Sequence, residues 1–201
     1  MPPPTPGTPP ATDTRPTRLL FVCWGNICRS PTAEGIMRRV AADAGLSHLV
    51  EIDSAGTSDE HHGCLPDRRA LAEADARGID LRQQRARKIG PDDWERFDLI
   101  LVADGMVERM LLRSAPARAR DAIHRMTAFG PDAAVADVPD PYYGGPDGFS
   151  EVYDLLSRAC AGLLDHVRAR HGLAPTSPAR TASAGPGAAP RPAAPPASRP
   201  G

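Results

Sequence analysis

Short, continuous apolar runs alternate along the chain with longer segments whose apolar residues recur at helical spacing. The clearest runs are residues 19–22 and 97–102, and a third apolar segment lies near residues 50–53. Continuous runs of this length are typical of strands that a parallel sheet buries on both faces. Because helical segments separate these strands, the pattern predicts an α/β fold of the doubly wound class.

Helical periodicity and helix-end residues locate the other elements. Gly45 fits the C-cap of the first helix, and Cys160 lies among the apolar positions of the last helix, where it is expected to join the core. The predicted helices are residues 31–44, 66–77, from Asp104 to about 113, and 149–170, and a weaker strand is predicted at residues 122–126. Residues 129–148 lack periodicity and are expected to form a long loop, which inside a compact domain is usually functional or disordered.

The composition predicts one folded domain with a disordered tail at each end. The chain has 201 residues, of which 41% are hydrophobic, and this suffices for one core. Residues 1–16 are rich in proline, and residues 174–201 are a mixture of Ala, Pro, Ser and Arg. Neither end carries enough apolar surface to offset the entropy of ordering, so the predicted domain spans residues 17–173.

Net charge, hydropathy and cysteine spacing argue against a nucleic-acid-binding protein, a membrane protein and a protein held by disulfides or zinc. A formal net charge of -1 gives no sign of nucleic-acid binding. Without an apolar stretch long enough for a signal peptide or a membrane span, we expect a cytoplasmic monomer that does not bind membranes. Four cysteines, at positions 23, 28, 64 and 160, make a poor disulfide framework and lack zinc-site spacing.

The segment after the first strand carries the strongest chemical signal. It reads Val22-Cys23-Trp24-Gly25-Asn26-Ile27-Cys28-Arg29-Ser30-Pro31. A short loop between a strand and a helix N-terminus directs its amide groups into one concavity, where the helix dipole adds partial positive charge. Such a loop binds a phosphate-like dianion and favours the thiolate form of a cysteine at its floor.

The residue types in this loop fit nucleophilic phosphoryl transfer. Cys23 is the candidate nucleophile, and Arg29 can hold two oxygens of a transferring phosphoryl group with its planar fork. Ser30 can donate a hydrogen bond to the departing sulfur. Asn26 is expected to stabilise the loop, because asparagine tolerates left-handed backbone and forms local hydrogen bonds. Loop amides and Arg29 would stabilise the transition state without a metal or another cofactor.

The whole string closely resembles the phosphate-binding loop of the low-molecular-weight protein tyrosine phosphatases. The resemblance implies a four-stranded parallel sheet in the order 2-1-3-4 with helices on both faces. It also assigns the loop positions Trp24, Gly25, Asn26, Ile27 and Cys28 to phosphate binding. A later turn, Ser54-Ala55-Gly56-Thr57, is similar to the family turn whose serine supports the loop.

A second piece of the catalytic machinery is expected in the long loop. Phosphoryl transfer to a thiolate needs a proton donor for the leaving oxygen, and a carboxylic acid over the cleft can provide it. Asp140, in the string Asp-Pro-Tyr-Tyr-Gly, resembles the general acid of the family. Tyr142 and Tyr143 would wall the substrate cleft, the alternative being that they pack against the last helix.

Other positions leave alternatives open. Glu60 stands where many relatives have an aromatic residue that clamps the substrate ring, and Trp24 would either replace that clamp or pack on the loop. Arg77 stands where some relatives have a supporting histidine. Two groups of residues are predicted to be exposed without a specific site, namely the pair His61 and His62 and the cluster Arg82, Arg85, Arg87 and Lys88.

The resemblance implies that relatives use a cysteine pair like Cys23 and Cys28 as a reversible disulfide, so Cys28 is either a redox partner or a small buried residue. The predicted function is hydrolysis of phosphotyrosine in proteins through a cysteinyl-phosphate intermediate. Arsenate reductase of the same fold is an alternative that would require Cys64 and Cys160 to relay a disulfide. Protein-arginine phosphatase is another, although such enzymes usually have threonine at the position of Ile27.

Overall fold

A computed structural model of the chain describes residues 15–135, 137–145 and 147–174. The predicted disordered tails consist mostly of residues 1–14 and 175–201, which lie outside the described residues. At the inner end of the first tail, Arg15 donates two hydrogen bonds of 2.7 and 2.8 Å to the carboxylate of Asp98.

The sheet has four parallel strands in the order β2-β1-β3-β4, which confirms the predicted fold class and strand order. The strands are β1 (Thr17–Cys23), β2 (Val50–Gly56), β3 (Leu99–Val102) and β4 (Ile123–Arg125). Cys23 pairs with Gly56, and Val22 pairs with Val102. The carboxyl ends of the three neighbouring strands therefore meet at one edge of the sheet, where ligands bind in open α/β folds.

The helices are α1 (Arg29–Asp43), α2 (Arg68–Ala76), α3 (Asp93–Arg96), α4 (Gly105–Ser114) and α5 (Gly148–Arg170). Four of them lie where the sequence predicts a helix, and the short α3 was not predicted. Helix α2 begins two residues later than predicted because Asp67 is its N-cap and accepts a hydrogen bond from the amide of Arg69. None of the helices in the described part of the chain has the length and apolar character that a membrane span requires.

The sheet is buried on both faces because successive residues of β1 point in opposite directions. Leu19 and Phe21 pack in a core with α1 and α5, whereas Leu20 and Val22 pack in a second core with α4. Cys160 is 1% exposed in the first core, as predicted. Both cores hold β1 in the centre of the molecule, and β1 ends at Cys23.

Candidate active site

The loop between β1 and α1 has a conformation that its sequence explains. Asn26 has a φ of 55°, in the left-handed region that asparagine tolerates better than most residues. The loop also lies very close to the end of β2. A Cβ atom at Gly56 would come within 2.7 Å of the carbonyl oxygen of Trp24, so this approach requires glycine.

The side-chain amide of Asn26 connects the loop to its supports. Its Nδ2 donates hydrogen bonds to Ser30 Oγ at 3.0 Å and to Ser54 Oγ at 2.9 Å. Its Oδ1 accepts a hydrogen bond from the main-chain amide of Arg87 at 2.9 Å. Asn26 is only 2% exposed, so water competes little for these bonds, and the loop is held in one arrangement.

Cys23 lies at the floor of the loop, 3% exposed, with its Sγ 3.0 Å from Ser30 Oγ. Because Ser30 accepts a hydrogen bond from Asn26, its own hydroxyl proton is available to the sulfur or to the carbonyl of Ala55 at 3.2 Å. This arrangement can stabilise a thiolate at Cys23.

Arg29 is 2% exposed and occupies the first turn of α1 beside the loop. Its Nη1 donates to Asp104 Oδ2 at 2.6 Å and to the carbonyl of Val138 at 3.1 Å, and its Nη2 donates to Asp140 Oδ2 at 2.9 Å. Within the described residues its Nε has no hydrogen-bond partner. Burial opposes the charge, but the nearby Cys23 and Asp140 outweigh it and raise the pKa of Arg29.

Asp104 orients Arg29, a role that was not predicted from the sequence. Its Oδ2 accepts from the guanidinium while its Oδ1 caps α4 by accepting from the amides of Met106 and Val107, both at 2.8 Å. Burial raises its pKa, but the Val107 amide and Arg29 outweigh this and hold the pKa of Asp104 below its usual range. The available signal was a carboxylate at the carboxyl end of a buried strand, directly before a helix.

The long loop brings Asp140 to the same place. Its first part is attached to β3 through the hydrogen bond from Val138 N to Ala103 O, 2.8 Å. The carboxylate of Asp140 accepts from Arg29 and from the amide of Tyr142 at 3.1 Å, and its side chain remains 44% exposed. Asp140 is thus held beside the loop between β1 and α1, yet its side chain is open to the cleft.

Helix α2 contacts both loops through its first turn. The amide of Asp67 donates to the carbonyl of Ile27 at 2.7 Å, and Arg69 Nη1 donates to the carbonyl of Tyr142 at 3.1 Å. The Arg69 guanidinium also lies 4.7 Å from the ring centroid of Phe149, at the start of α5.

One cleft brings together the predicted catalytic residues and the aromatic residues that were predicted to form its walls. It is lined by Cys23, Trp24, Gly25, Ile27, Cys28, Arg29, Glu60, His61, Asp140, Tyr142 and Tyr143. Trp24 and Tyr142 are 39% and 40% exposed, and Tyr143 is 92% exposed. The two tyrosine rings meet edge to face with centroids 4.9 Å apart. Aromatic rings from both loops therefore line the same cleft as the thiol.

Two expectations about exposed residues were wrong in part. His61 is half-buried in the cleft wall, and a Cβ atom at Gly25 would come within 2.8 Å of its ring. Arg87 was predicted to belong to a solvated cluster, but it is half-buried and its guanidinium bridges Asp53 and Asp93. By contrast Arg82, Arg85 and Lys88 are exposed, as expected. The described residues contain no cluster of three potential metal ligands.

Cys28 lies in the loop between β1 and α1, whereas Arg77 lies at the C-terminal end of α2. All four cysteines are described as free thiols, and Cys28 is buried, with its pKa raised by burial and by the carboxylate of Asp67. Its disulfide with Cys23 stays a prediction.

Arg77 lies away from the loop, with its guanidinium 4.4 Å from the ring centroid of Tyr153 and a 2.7 Å hydrogen bond to Ser150. It joins α2 to α5 instead of supporting the cleft.

Comparison with known proteins indicates one family. The sequence model of low molecular weight phosphotyrosine protein phosphatases matches residues 18–172. The low molecular weight protein-tyrosine-phosphatase of Streptomyces coelicolor is 46% identical over 155 residues, which cover 75% of this chain and 93% of that protein. The low molecular weight phosphotyrosine protein phosphatase of Sus scrofa is 37% identical over 152 residues, covering 75% and 95%.

Solved structures give the same result. The protein tyrosine phosphatase of Entamoeba histolytica, crystallised with Hepes in its active site, is 36% identical with a TM-score of 0.72, covering 78% of this chain and 98% of that one. YfkJ of Bacillus subtilis has the same identity and TM-score, covering 77% and 96%. The chain belongs to the low molecular weight phosphotyrosine protein phosphatase family.

Proposed function

We propose that the chain hydrolyses phosphotyrosine in protein substrates through a cysteinyl-phosphate intermediate. The observation that carries this proposal is the convergence of three groups in one cleft. The Cys23 thiol lies 3.0 Å from a hydroxyl that can stabilise its anion, and Arg29 bridges from beside the loop to Asp140. Nucleophile, phosphate-binding cation and proton donor are the groups that the reaction requires.

In the first step the Cys23 thiolate attacks phosphorus, forming a bond between sulfur and phosphorus while the bond to the phenolic oxygen breaks. Asp140 in its protonated form gives a proton to that oxygen, so the leaving group departs as tyrosine. Nε and Nη2 of Arg29 would hold two phosphoryl oxygens, and the loop amides would hold the others. A phosphoryl group would compete with Asp140 for Nη2, which frees the acid to face the leaving oxygen.

In the second step the Asp140 carboxylate takes a proton from water as the water oxygen attacks phosphorus. The bond between sulfur and phosphorus breaks, inorganic phosphate is released, and Cys23 returns to its thiolate form. The hydroxyl of Ser30, 3.0 Å from Sγ, is placed to stabilise the departing thiolate. The acid is regenerated, so the cycle needs only water as a second substrate.

The walls of the cleft favour an aromatic phosphate ester. Trp24 on the loop and Tyr142 on the long loop are each about two-fifths exposed beside Cys23. Large aromatic faces can stack on a phosphotyrosine ring, whereas a phosphoserine side chain is too short to reach them from the same phosphate position. Glu60 lines the same cleft with a carboxylate, at the position where many relatives have an aromatic residue.

The arsenate reductase alternative finds little support in the cysteines. Cys160 is 1% exposed, and its thiol contacts the carbonyl of Ala33 at 3.6 Å. Burial raises its pKa to about 12, so a reactive thiolate is disfavoured there. Cys64 is exposed, but the other cysteine that the relay requires, Cys160, is buried in the core. Monomeric state, cytoplasmic location and the absence of nucleic-acid or membrane binding stay predictions from the sequence.

The experiment that tests the proposal compares hydrolysis of peptides carrying phosphotyrosine, phosphoserine or arginine phosphate, with arsenate reduction by thioredoxin measured alongside. Selective release of phosphate from phosphotyrosine is expected. Turnover of arsenate alone, or of arginine phosphate alone, would refute it.

Two variants test the assigned roles. Cys23→Ser should abolish turnover. Asp140→Asn should lower kcat by about a hundredfold or more, the range for loss of a general acid, while inorganic phosphate still binds. Asp137→Asn, in the same loop, is the matched control. The Asp137 carboxylate pairs with Arg125 and not with Arg29, so this variant should retain turnover. Unchanged activity of the Cys23 variant would overturn the mechanism.

A further inference from the structure

Arg87 is connected to the phosphate-binding loop by two routes, one direct and one through Asp53 and Ser54. It nevertheless lies in a segment predicted to be a solvated surface. We propose that Arg87 is a positioning residue of the active site, which fixes the orientation of the Asn26 side chain. It donates directly to Asn26 Oδ1, and through Asp53 it orients Ser54, whose hydroxyl accepts from Asn26 Nδ2. The inference rests on the proposed function for its kinetic readout.

The first route is through the main chain. The amide of Arg87 donates to Asn26 Oδ1 at 2.9 Å, and its carbonyl accepts from the amide of Gly56 at 2.8 Å. The same segment forms an isolated parallel bridge between Gly56 and Lys88. The main chain of Arg87 is therefore fixed to the end of β2 while it binds the loop.

The second route is through the guanidinium. It donates to both carboxylate oxygens of Asp93, at 2.9 and 3.1 Å, and to Asp53 Oδ2 at 2.9 Å. The other oxygen of Asp53 accepts from the amide of Ser54 at 2.8 Å. Ser54 Oγ then accepts from Asn26 Nδ2 at 2.9 Å. This chain of bonds ends on the opposite side of the same amide group.

The two routes form a closed ring of hydrogen bonds around Asn26. Rotation of the Asn26 amide would break a bond on each side, so Arg87 defines its orientation. Because Asn26 also donates to Ser30, which contacts the Cys23 sulfur, its orientation determines where the hydroxyl of Ser30 points. Arg87 thus acts on the nucleophile without contacting substrate.

The chemistry of the contacts explains why arginine occupies this position. Asp93 is 6% exposed, and it also accepts from the amide of Gly90 at 2.8 Å. A planar guanidinium can bind Asp93 with two parallel bonds and still reach Asp53, whereas a lysine ammonium offers one point charge. Lysine at position 87 would therefore neutralise the carboxylates but lose the fixed geometry.

The test uses Arg87→Lys and Arg87→Met, with Arg82→Lys and Arg82→Met as matched controls. Arg82 belongs to the same arginine-rich segment but pairs with Asp75 and Asp80 on the exposed surface. For each protein we would measure kcat and KM, the inhibition constant of inorganic phosphate, and the midpoint of thermal unfolding with and without phosphate. Each Arg87 substitution is repeated in an Asn26→Ala background.

We expect Arg87→Met to lower kcat and weaken phosphate inhibition by about tenfold, within the range for coupled network residues. Arg87→Lys should fall between it and the unsubstituted chain, and both Arg82 variants should match the unsubstituted chain. In the Asn26→Ala background the Arg87 substitutions should not lower kcat further. The hydrogen bonds that connect Arg87 to Cys23 pass through Asn26 and are already absent there.

A purely structural role would give a different result. Arg87 variants with a lower unfolding midpoint but unchanged kcat and phosphate inhibition would overturn the proposal. It would also be overturned if the Arg87 substitutions lowered kcat by the same factor with and without Asn26→Ala. If Arg87→Met does not fold, the comparison of Arg87→Lys with Arg82→Lys decides in the same way. If the unsubstituted chain does not hydrolyse phosphotyrosine, the proposed function fails, while the phosphate-induced shift in unfolding midpoint still tests Arg87.

Discussion

Replacing Asp104 with asparagine tests how Arg29, the proposed phosphate-binding residue, is held in place. Asparagine keeps an oxygen that can accept from the amides of Met106 and Val107, so the N-cap of α4, worth about 1 kcal/mol, is retained. Its Nδ2 would replace the oxygen that accepts from Arg29 at 2.6 Å, so two donors would face each other. The substitution therefore removes the contact to Arg29 and little else.

The expected loss of stability follows from that contact. A hydrogen bond between charged groups contributes about 1.5–3 kcal/mol. Because Arg29 keeps its bonds to Asp140 and to the carbonyl of Val138, we expect a cost of about 2 kcal/mol. For a domain of this size that corresponds to a fall of about 4–8 °C in the unfolding midpoint. Because a misplacement of about 1 Å can cost a factor of about 100, kcat should fall by roughly that factor.

The pH dependence supplies a second measurement of the same contact. The pKa of Asp104 is lower in the folded chain than the ordinary value of 3.8, so its stabilising contribution is present at neutral pH. It is lost as the pH falls below about 4 and the carboxylate is protonated. The difference in unfolding free energy between the unsubstituted chain and Asp104→Asn should therefore shrink in acid.

Asp98→Asn is the matched control, because Asp98 lies at the opposite end of β3 and binds Arg15 and the amide of Arg18. It should lower stability without changing kcat, measured with a chromogenic aryl phosphate on folded protein. The reasoning would be refuted if Asp104→Asn kept the full kcat, or if both variants lost the same fraction of it.

Three further predictions concern packing, burial and the cleft wall. Gly56→Ala should cost about 1–3 kcal/mol in urea unfolding, because its Cβ would approach the Trp24 carbonyl to 2.7 Å, whereas Gly90→Ala meets no atom within 4 Å and should be tolerated. The folded pKa of Cys160 is about 12 against 9.0 for an unburied thiol, so its stabilisation is complete below pH 9 and is lost as the pH rises above it. Between pH 8 and 10 the unfolding free energy should fall by about 1.4 kcal/mol more than in Cys160→Ala, and equal falls would contradict burial of the thiol. Trp24→Ala should raise KM by about fivefold for an aryl phosphate but not for an alkyl phosphate, as expected for loss of one aromatic contact; equal changes for both esters would show that Trp24 only packs on the loop.

Features encoded by neighbouring residues were predictable from sequence. The strand, loop and helix around Cys23 are contiguous, so residue order alone predicted a thiol at the floor of an anion-binding loop. Strand order followed from the family resemblance, and the sheet confirms it. The placement of Asp140 in the same cleft also agrees with the prediction, although its role as the acid is still to be measured.

Features that depend on register across the sheet were not predictable. Asp104 reaches Arg29 only because β3 lies beside β1 with Val102 opposite Val22. Arg87 looked like part of a charged surface run, since its partners Asp53 and Asp93 come from β2 and α3. His61 was misjudged for a similar reason, because only the folded loop brings its ring against Gly25.

The first turn of α2 connects the loop that carries the proposed nucleophile to the loop that carries the proposed acid. Its Asp67 amide and Arg69 side chain bind main-chain carbonyls of the two loops, and neither bond depends on which side chains those loops carry. The distance between thiol and acid is thus partly set by a helix that contributes no reacting atom. Substitutions on either loop can then alter substrate choice while this distance is conserved, whereas an insertion between Asp67 and Arg69 would disturb every substrate alike.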